Sequence, residues 1–110
     1  MDLTTREESG CTVARVAGRL DAATAPLFEK ACGEWVDKGT KKLVLDLSAL
    51  DYVSSAGLRA VLVTMKRLKS AGGGIAVSGL SGVVKEVFTI SGFDALLPTR
   101  DSVAEAIASL

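Results

Sequence analysis

Apolar positions along this chain follow two periods. Leu43-Val44-Leu45-Asp46-Leu47 is a short, nearly continuous apolar run, the pattern of a strand buried on both faces. Gly74-Ile75-Ala76-Val77-Ser78 repeats it. Cys11 to Ala17 mixes β-branched and polar residues around Val13 and Val16, which predicts a more exposed strand, and residues 2–7 pair with it across a Ser9-Gly10 turn. Between the strands the period lengthens. Thr24 is placed to cap a helix, Pro26 suits its first turn, and Leu27, Phe28, Ala31, Cys32 and Trp35 recur at helical spacing until Gly39, with Trp35 in the core. After Ser55, the residues Leu58, Val61, Leu62, Met65 and Leu68 form one apolar stripe. Arg59, Lys66, Arg67 and Lys69 take the other faces, and Gly72 sits at a left-handed stop.

A third helix is predicted to begin at Ser81, to bury Val83, Val84, Val87 and Phe88, and to end at Gly92. Leu96-Leu97 before Pro98 reads as a short edge strand, where proline is tolerated. Ser102 and Glu105 match the S-x-x-E capping box and open a last helix with Val103, Ala106, Ile107 and Leu110 inward. Two strands followed by alternating helices and strands predict one α/β domain over residues 1–110, with about four helices on a mixed, mostly parallel sheet.

Composition narrows the functions open to such a domain. The chain has 110 residues, 48% of them hydrophobic, enough for a single core. Thirteen basic and thirteen acidic residues cancel, whereas binding to nucleic acid or anionic lipid through phosphate neutralisation draws on a basic surplus. No apolar stretch approaches the roughly 20 residues that span a bilayer, and no secretory apolar region opens the chain. Cys11 and Cys32 are far apart, so they are expected to be reduced, half-buried thiols in a cytoplasmic protein. There is no histidine, which removes Ser-His-Asp hydrolysis, His-ligated metal sites and histidine phosphocarriers together. No enzyme activity, metal or cofactor is expected. Gly72-Gly73-Gly74 follows a helix and lacks the lysine of a phosphate loop, so it reads as a helix stop and turn.

The segment from Asp46 to Leu58 joins the buried strand to the best-defined helix, and Ser54-Ser55 falls at the helix N-terminus. One reading is that one of the two serines only caps the helix. The other starts from the same geometry: free N–H groups and the positive end of the dipole favour an anion there. A phosphate on Ser55 adds about −1.5 to −2 charges at pH 7. At a helix N-terminus it leaves the fold intact but changes the surface offered to a partner, with Asp21, Asp46 or Asp51 adding to the field. Gly57, in the first turn, presents bare backbone for close approach of another chain. Ser55 has no neighbouring base and does not stand in a G-x-S-x-G elbow.

Three segments carry a resemblance to a known family: Gly18-Arg19-Leu20-Asp21, Leu45-Asp46-Leu47-Ser48-Ala49-Leu50, and Val53-Ser54-Ser55-Ala56-Gly57-Leu58. In their order and spacing the chain resembles the STAS domain, specifically the bacterial anti-sigma-factor antagonists, across essentially its whole length. The resemblance implies a partner switch. The unphosphorylated antagonist binds an anti-sigma factor that is itself a serine kinase; the kinase phosphorylates the antagonist, and a metal-dependent serine phosphatase reverses the modification. Ser55 occupies the phosphoacceptor position, with Ser54 a competing acceptor where the family often carries Asp, and Ala56 stands where Ser or Thr is frequent. By the resemblance Asp21 and Asp46 lie near the serine and shape the partner surface, with Gly57 and Leu58 in the contact. Tyr52, beside this segment, is an aromatic with a polar handle suited to a partner interface.

Two other functions use the same features differently. A STAS scaffold or subunit, in a stress-signalling or lipid-transport complex, would bind partners without phosphorylation. A chain made of a single domain disfavours a module appended to an anion transporter. A small-ligand carrier is separable from either by a thermal-shift screen with nucleotides and metabolites.

Overall fold

A computed structural model describes residues 1–110. Strands β1 (Asp2–Glu8) and β2 (Cys11–Leu20) form an antiparallel hairpin in which Glu8 faces Cys11. Its two turn residues, Ser9 and Gly10, both have positive φ (51° and 79°), the mirror-image turn whose twist suits flanking strands. From β2 the sheet continues in parallel through β3 (Lys42–Asp46), β5 (Gly74–Ser78) and the two-residue β6 (Thr99–Arg100). The order is β1-β2-β3-β5-β6. A short strand β4 (Leu50–Val53) continues beside β2 where β3 has ended, pairing Gly18 with Leu50 and Leu20 with Val53.

Four helices complete the domain: α1 (Ala25–Asp37), α2 (Ser55–Ser70), α3 (Gly82–Ile90) and α4 (Val103–Ala108). Alternation along the strands explains the unbroken apolar run of β3, because successive side chains enter two different cores. Leu43 and Leu45, with Ile75 and Val77, meet Phe28 and Cys32 of α1 and Val61, Met65 and Leu68 of α2 in the main core. Val44 and Ala76 point the other way and pack with Cys11, Val13 and Ala106 beneath α4. Each fully buried Leu, Val or Phe stabilises the fold by about 1.5–3 kcal/mol, so the stripe of α2 is what fixes that helix, and its N-terminus, against the sheet. Gly72, one residue beyond the cap of α2, has φ +82°, the left-handed stop its position predicts.

Several expectations are corrected. Leu96-Leu97 is not a strand: a 3-10 turn over Phe93–Ala95 precedes it, Leu97 is buried, Leu96 is exposed, and pairing begins only after Pro98. Pro98 has no N–H to donate, but its carbonyl accepts from Val77 N at 2.9 Å, so the ladder starts at its far side. In α3 the buried residues are Val84 and Phe88; Val83 is 55% exposed and lies on the outer face. Leu27 also faces outward, because Phe28 and Cys32 define the inward stripe of α1. Trp35 is half-buried and packs against the margin of the main core. Both cysteines are more deeply buried than the half-buried thiols expected, at 1% exposure each. The strand β4 has no counterpart in the sequence pattern.

Candidate functional site

The parallel strands end at one edge of the sheet, the edge where open α/β folds place their ligands. The ends of β2 and β4 and the start of α2 meet there. Ser54 N donates to Leu20 O at 2.9 Å, which ties the start of α2 to the end of β2. Ser54 has extended backbone (φ −95°, ψ 174°), and its hydroxyl accepts from Gly57 N at 3.3 Å. It is the N-cap. Ser55 is then the first helical residue and is exposed, and its hydroxyl has no part in the cap. The two serines therefore divide the roles left open between them: one oxygen is held by the helix, the next is free.

Gly57 and Leu58, expected in the contact surface, are both buried. A Cβ on Gly57 would stand 2.6 Å from Leu20 O, 2.9 Å from Leu20 Cγ and 3.0 Å from Val53 Cγ2. The chain's own β2 and β4 already require glycine here. Leu58 joins the main core and anchors the first turn from behind. Ala56 is half-buried, beside Ser55.

Asp21 organises the turn from β2 into α1. Its Oδ1 accepts from Ala23 N at 3.0 Å and Thr24 N at 3.2 Å, while its own N donates to Thr24 Oγ1 at 2.9 Å. Thr24 occupies the cap position of α1 without capping it; its hydroxyl donates instead to Arg19 O at 2.9 Å. Desolvation pushes the Asp21 carboxyl up, but the backbone bonds from Thr24 and Ala23, the Thr24 hydroxyl and Arg19 outweigh it and hold the group below its ordinary 3.8. Arg19 Nε lies 3.5 Å from Asp21 Oδ2, and its guanidinium stacks 4.4 Å from the centre of the Tyr52 ring. Arg19 thus links Asp21 to Tyr52 across β2 and β4, a role the sequence did not single out.

Asp46 is placed differently. Its Oδ1 accepts from Ser48 N at 3.1 Å and Ser48 Oγ at 2.7 Å, shaping the turn into β4. By strand alternation it shares the sheet face of Val44, beneath α4, and stands on the face opposite α2 and Ser55. The structure brings Asp21, Tyr52, Ser54 and Ser55 to one edge and leaves Asp46 supporting the turn that leads through β4 to Tyr52, Ser54 and Ser55. Asp51 is exposed on β4.

Beside Ser55, a cleft of about 280 Å3 runs between the first turns of α1 and α2, lined by Ala22, Ala25, Pro26, Glu29, Ser55, Ala56 and Arg59. Arg59 was legible only as a polar-face residue of its helix, and Glu29 was not singled out by the sequence. No three acidic or cysteine residues converge to hold a metal, and no helix is long and apolar enough to cross a membrane. Burial pushes the Cys32 thiol up to about 11, away from nucleophilic chemistry.

The STAS-domain profile matches residues 2–106. BtrV of Bordetella bronchiseptica, named as an anti-sigma factor antagonist, is 40% identical over 109 residues, covering 99% of this chain and 94% of BtrV. The crystal structure of an anti-sigma factor antagonist from Mycobacterium paratuberculosis superposes with a TM-score of 0.89 at 27% identity, over 98% of this chain and 92% of that one. SpoIIAA of Bacillus matches with a TM-score of 0.75 in its unphosphorylated form (17% identity, 98% and 96% covered). In its phosphorylated form it also gives 0.75 (20% identity, 98% of each chain covered). With the element order and these relatives in agreement, the chain belongs to the STAS-domain family, in the group whose members are named anti-sigma factor antagonists.

Proposed function

We propose that this domain is a cytoplasmic anti-sigma-factor antagonist that works as a binding switch and performs no catalysis itself. Unphosphorylated, it docks a serine-kinase-type anti-sigma factor through the edge formed by Asp21, Tyr52, Ser54, Ser55 and Ala56. Asp46, Gly57 and Leu58 hold that edge in shape. The kinase then transfers the γ-phosphoryl group of its ATP: a bond forms from Ser55 Oγ to phosphorus, the bond to ADP breaks, and the hydroxyl proton leaves. The added charge and bulk disfavour the docked state, and a metal-dependent phosphatase restores the hydroxyl by hydrolysis. ATP and metal belong to those enzymes.

One observation carries this reading: Ser55 presents a free, exposed hydroxyl on the first residue of α2, while Ser54 alone satisfies the cap. Phosphate at Ser55 therefore costs the helix no hydrogen bond and gains from the positive end of its dipole. The same division disfavours Ser54 as acceptor, since its oxygen is engaged with Gly57 N. The equal match of this fold to SpoIIAA in both forms is in keeping with a switch that spares the fold.

The test is Ser55→Asp against the kinase-type anti-sigma factor of the same organism, read by calorimetric titration. Affinity falls at least tenfold, about 1.4 kcal/mol. The melting temperature stays within about 2–4 °C, as for an exposed substitution worth no more than about 0.5 kcal/mol. Equal binding by wild type and variant overturns the reading. Phosphopeptide mapping from native cells under growth and stress supplies the second arm: a Ser55 never modified in either state points to a scaffold that binds without phosphorylation.

A further inference from the structure

Helix α2 has no acidic residue in its first turn, and Arg59 stands in the second turn, one turn from Ser55. Arg59 is exposed and belongs to neither of the two ion pairs of the domain, Arg6–Glu8 and Arg19–Asp21. Glu29 is the other charged residue lining the same cleft, yet the two are not paired. The cleft thus holds an uncompensated guanidinium one helical turn from a free serine hydroxyl.

We propose that Arg59 is the in-chain receptor for a phosphate on Ser55, an inference that rests on the reading of Ser55 as the phosphoacceptor. Ser55 and Arg59 are i and i+4, adjacent on one helix face. Helical side chains lean toward the N-terminus, which puts Ser55 within reach of the long Arg59 side chain, and the two residues line the same cleft. A guanidinium offers phosphate a planar fork of donors, matched in geometry and permanent charge. Against Glu29 alone, a phosphate of about −1.5 to −2 charges would be repelled from the cleft; Arg59 draws it in, toward Ala25 and Pro26. The modified state becomes an ordered anion folded along α2, with Arg59 removed from the surface a partner meets.

The experiment uses the full chain with phosphoserine installed at position 55 by genetic encoding, so that no kinase is needed, and follows the phosphorus resonance against pH. In the wild type the second ionisation falls below its ordinary value near 6, because Arg59 favours the dianion. Arg59→Gln raises it by about half a pH unit, and Arg59→Lys, which keeps the charge but loses the fork, restores part of the shift. Thermal melts confirm that each variant is folded. Identical titration in wild type and Arg59→Gln overturns the inference, as does a result in which Arg59→Gln weakens partner binding of the unmodified protein without moving the titration. Binding of the phosphorylated wild type to the anti-sigma factor is scored separately. If it matches the unmodified protein, the switch reading of Ser55 fails, whatever the titration shows.

Discussion

Gly57 shows how the structure supplies a reason for a residue that the sequence leaves unexplained. In a helix, alanine is better than glycine by up to about 1 kcal/mol, so an unexplained glycine in a first turn invites a functional reason. The reason found is steric. The atom 2.6 Å from a methyl added at Gly57 is the carbonyl oxygen of Leu20, which also accepts from Ser54 N. It cannot retreat without breaking the bond that ties α2 to β2. Gly57→Ala is therefore expected to destabilise by about 1–3 kcal/mol despite its better propensity, measured as a lower urea midpoint. A stabilised variant would show that the edge carrying Ser55 gives way easily. The Ser54-Ser55 pair was legible as a cap plus a candidate. Which serine did which depended on a backbone angle, the extended ψ of Ser54, that no side-chain pattern encodes.

At the scale of elements, what was legible followed periodicity and end signals. The stripe of α2 and the Ser102-x-x-Glu105 box were strong on both counts, and Ser102 Oγ does accept from Glu105 N at 3.1 Å. Elements without a period were not legible. Four residues of β4 cannot display alternation, and its place beside β2 depends on β3 ending first. For α3, five apolar residues in nine leave the inward face ambiguous by one position, and the structure settles it on Val84 and Phe88, with the Phe88 and Phe93 rings edge to face at 5.8 Å. Adjacent valines thus differ in consequence. Val84→Ala removes buried volume and costs about 2 kcal/mol. Val83→Ala stays within about 0.5 kcal/mol. Paired denaturant titrations compare them directly, and equal costs would contradict the assigned face.

The whole molecule is a sheet with two unequal cores, which makes its opening uneven. The face under α1 and α2 buries 22 residues in one cluster, whereas the face under α4 buries five. Helix α4 has six residues, of which only Ala106 is fully buried, so little apolar area resists its detachment. The cysteines report on this asymmetry, since Cys11 lies beneath α4 and Cys32 in the main core, each 1% exposed. While buried, Cys32 is a poor nucleophile, its thiol held up to about 11. Each thiol reacts when its cover opens and exposes it to the reagent. Iodoacetamide labelling of the native protein near pH 8, resolved by peptide mass spectrometry and normalised to the unfolded chain, is expected to modify Cys11 at least about tenfold faster than Cys32, the ratio for about 1.4 kcal/mol between local and global opening. Ser102→Ala removes the cap of α4, at about 1 kcal/mol, and should accelerate Cys11 about fivefold. Cys32 gains only where it opens through the same event. Matched rates at both cysteines, unchanged in their ratio by Ser102→Ala, would mean that the two cores open together and that α4 is an integral part of one cooperative unit.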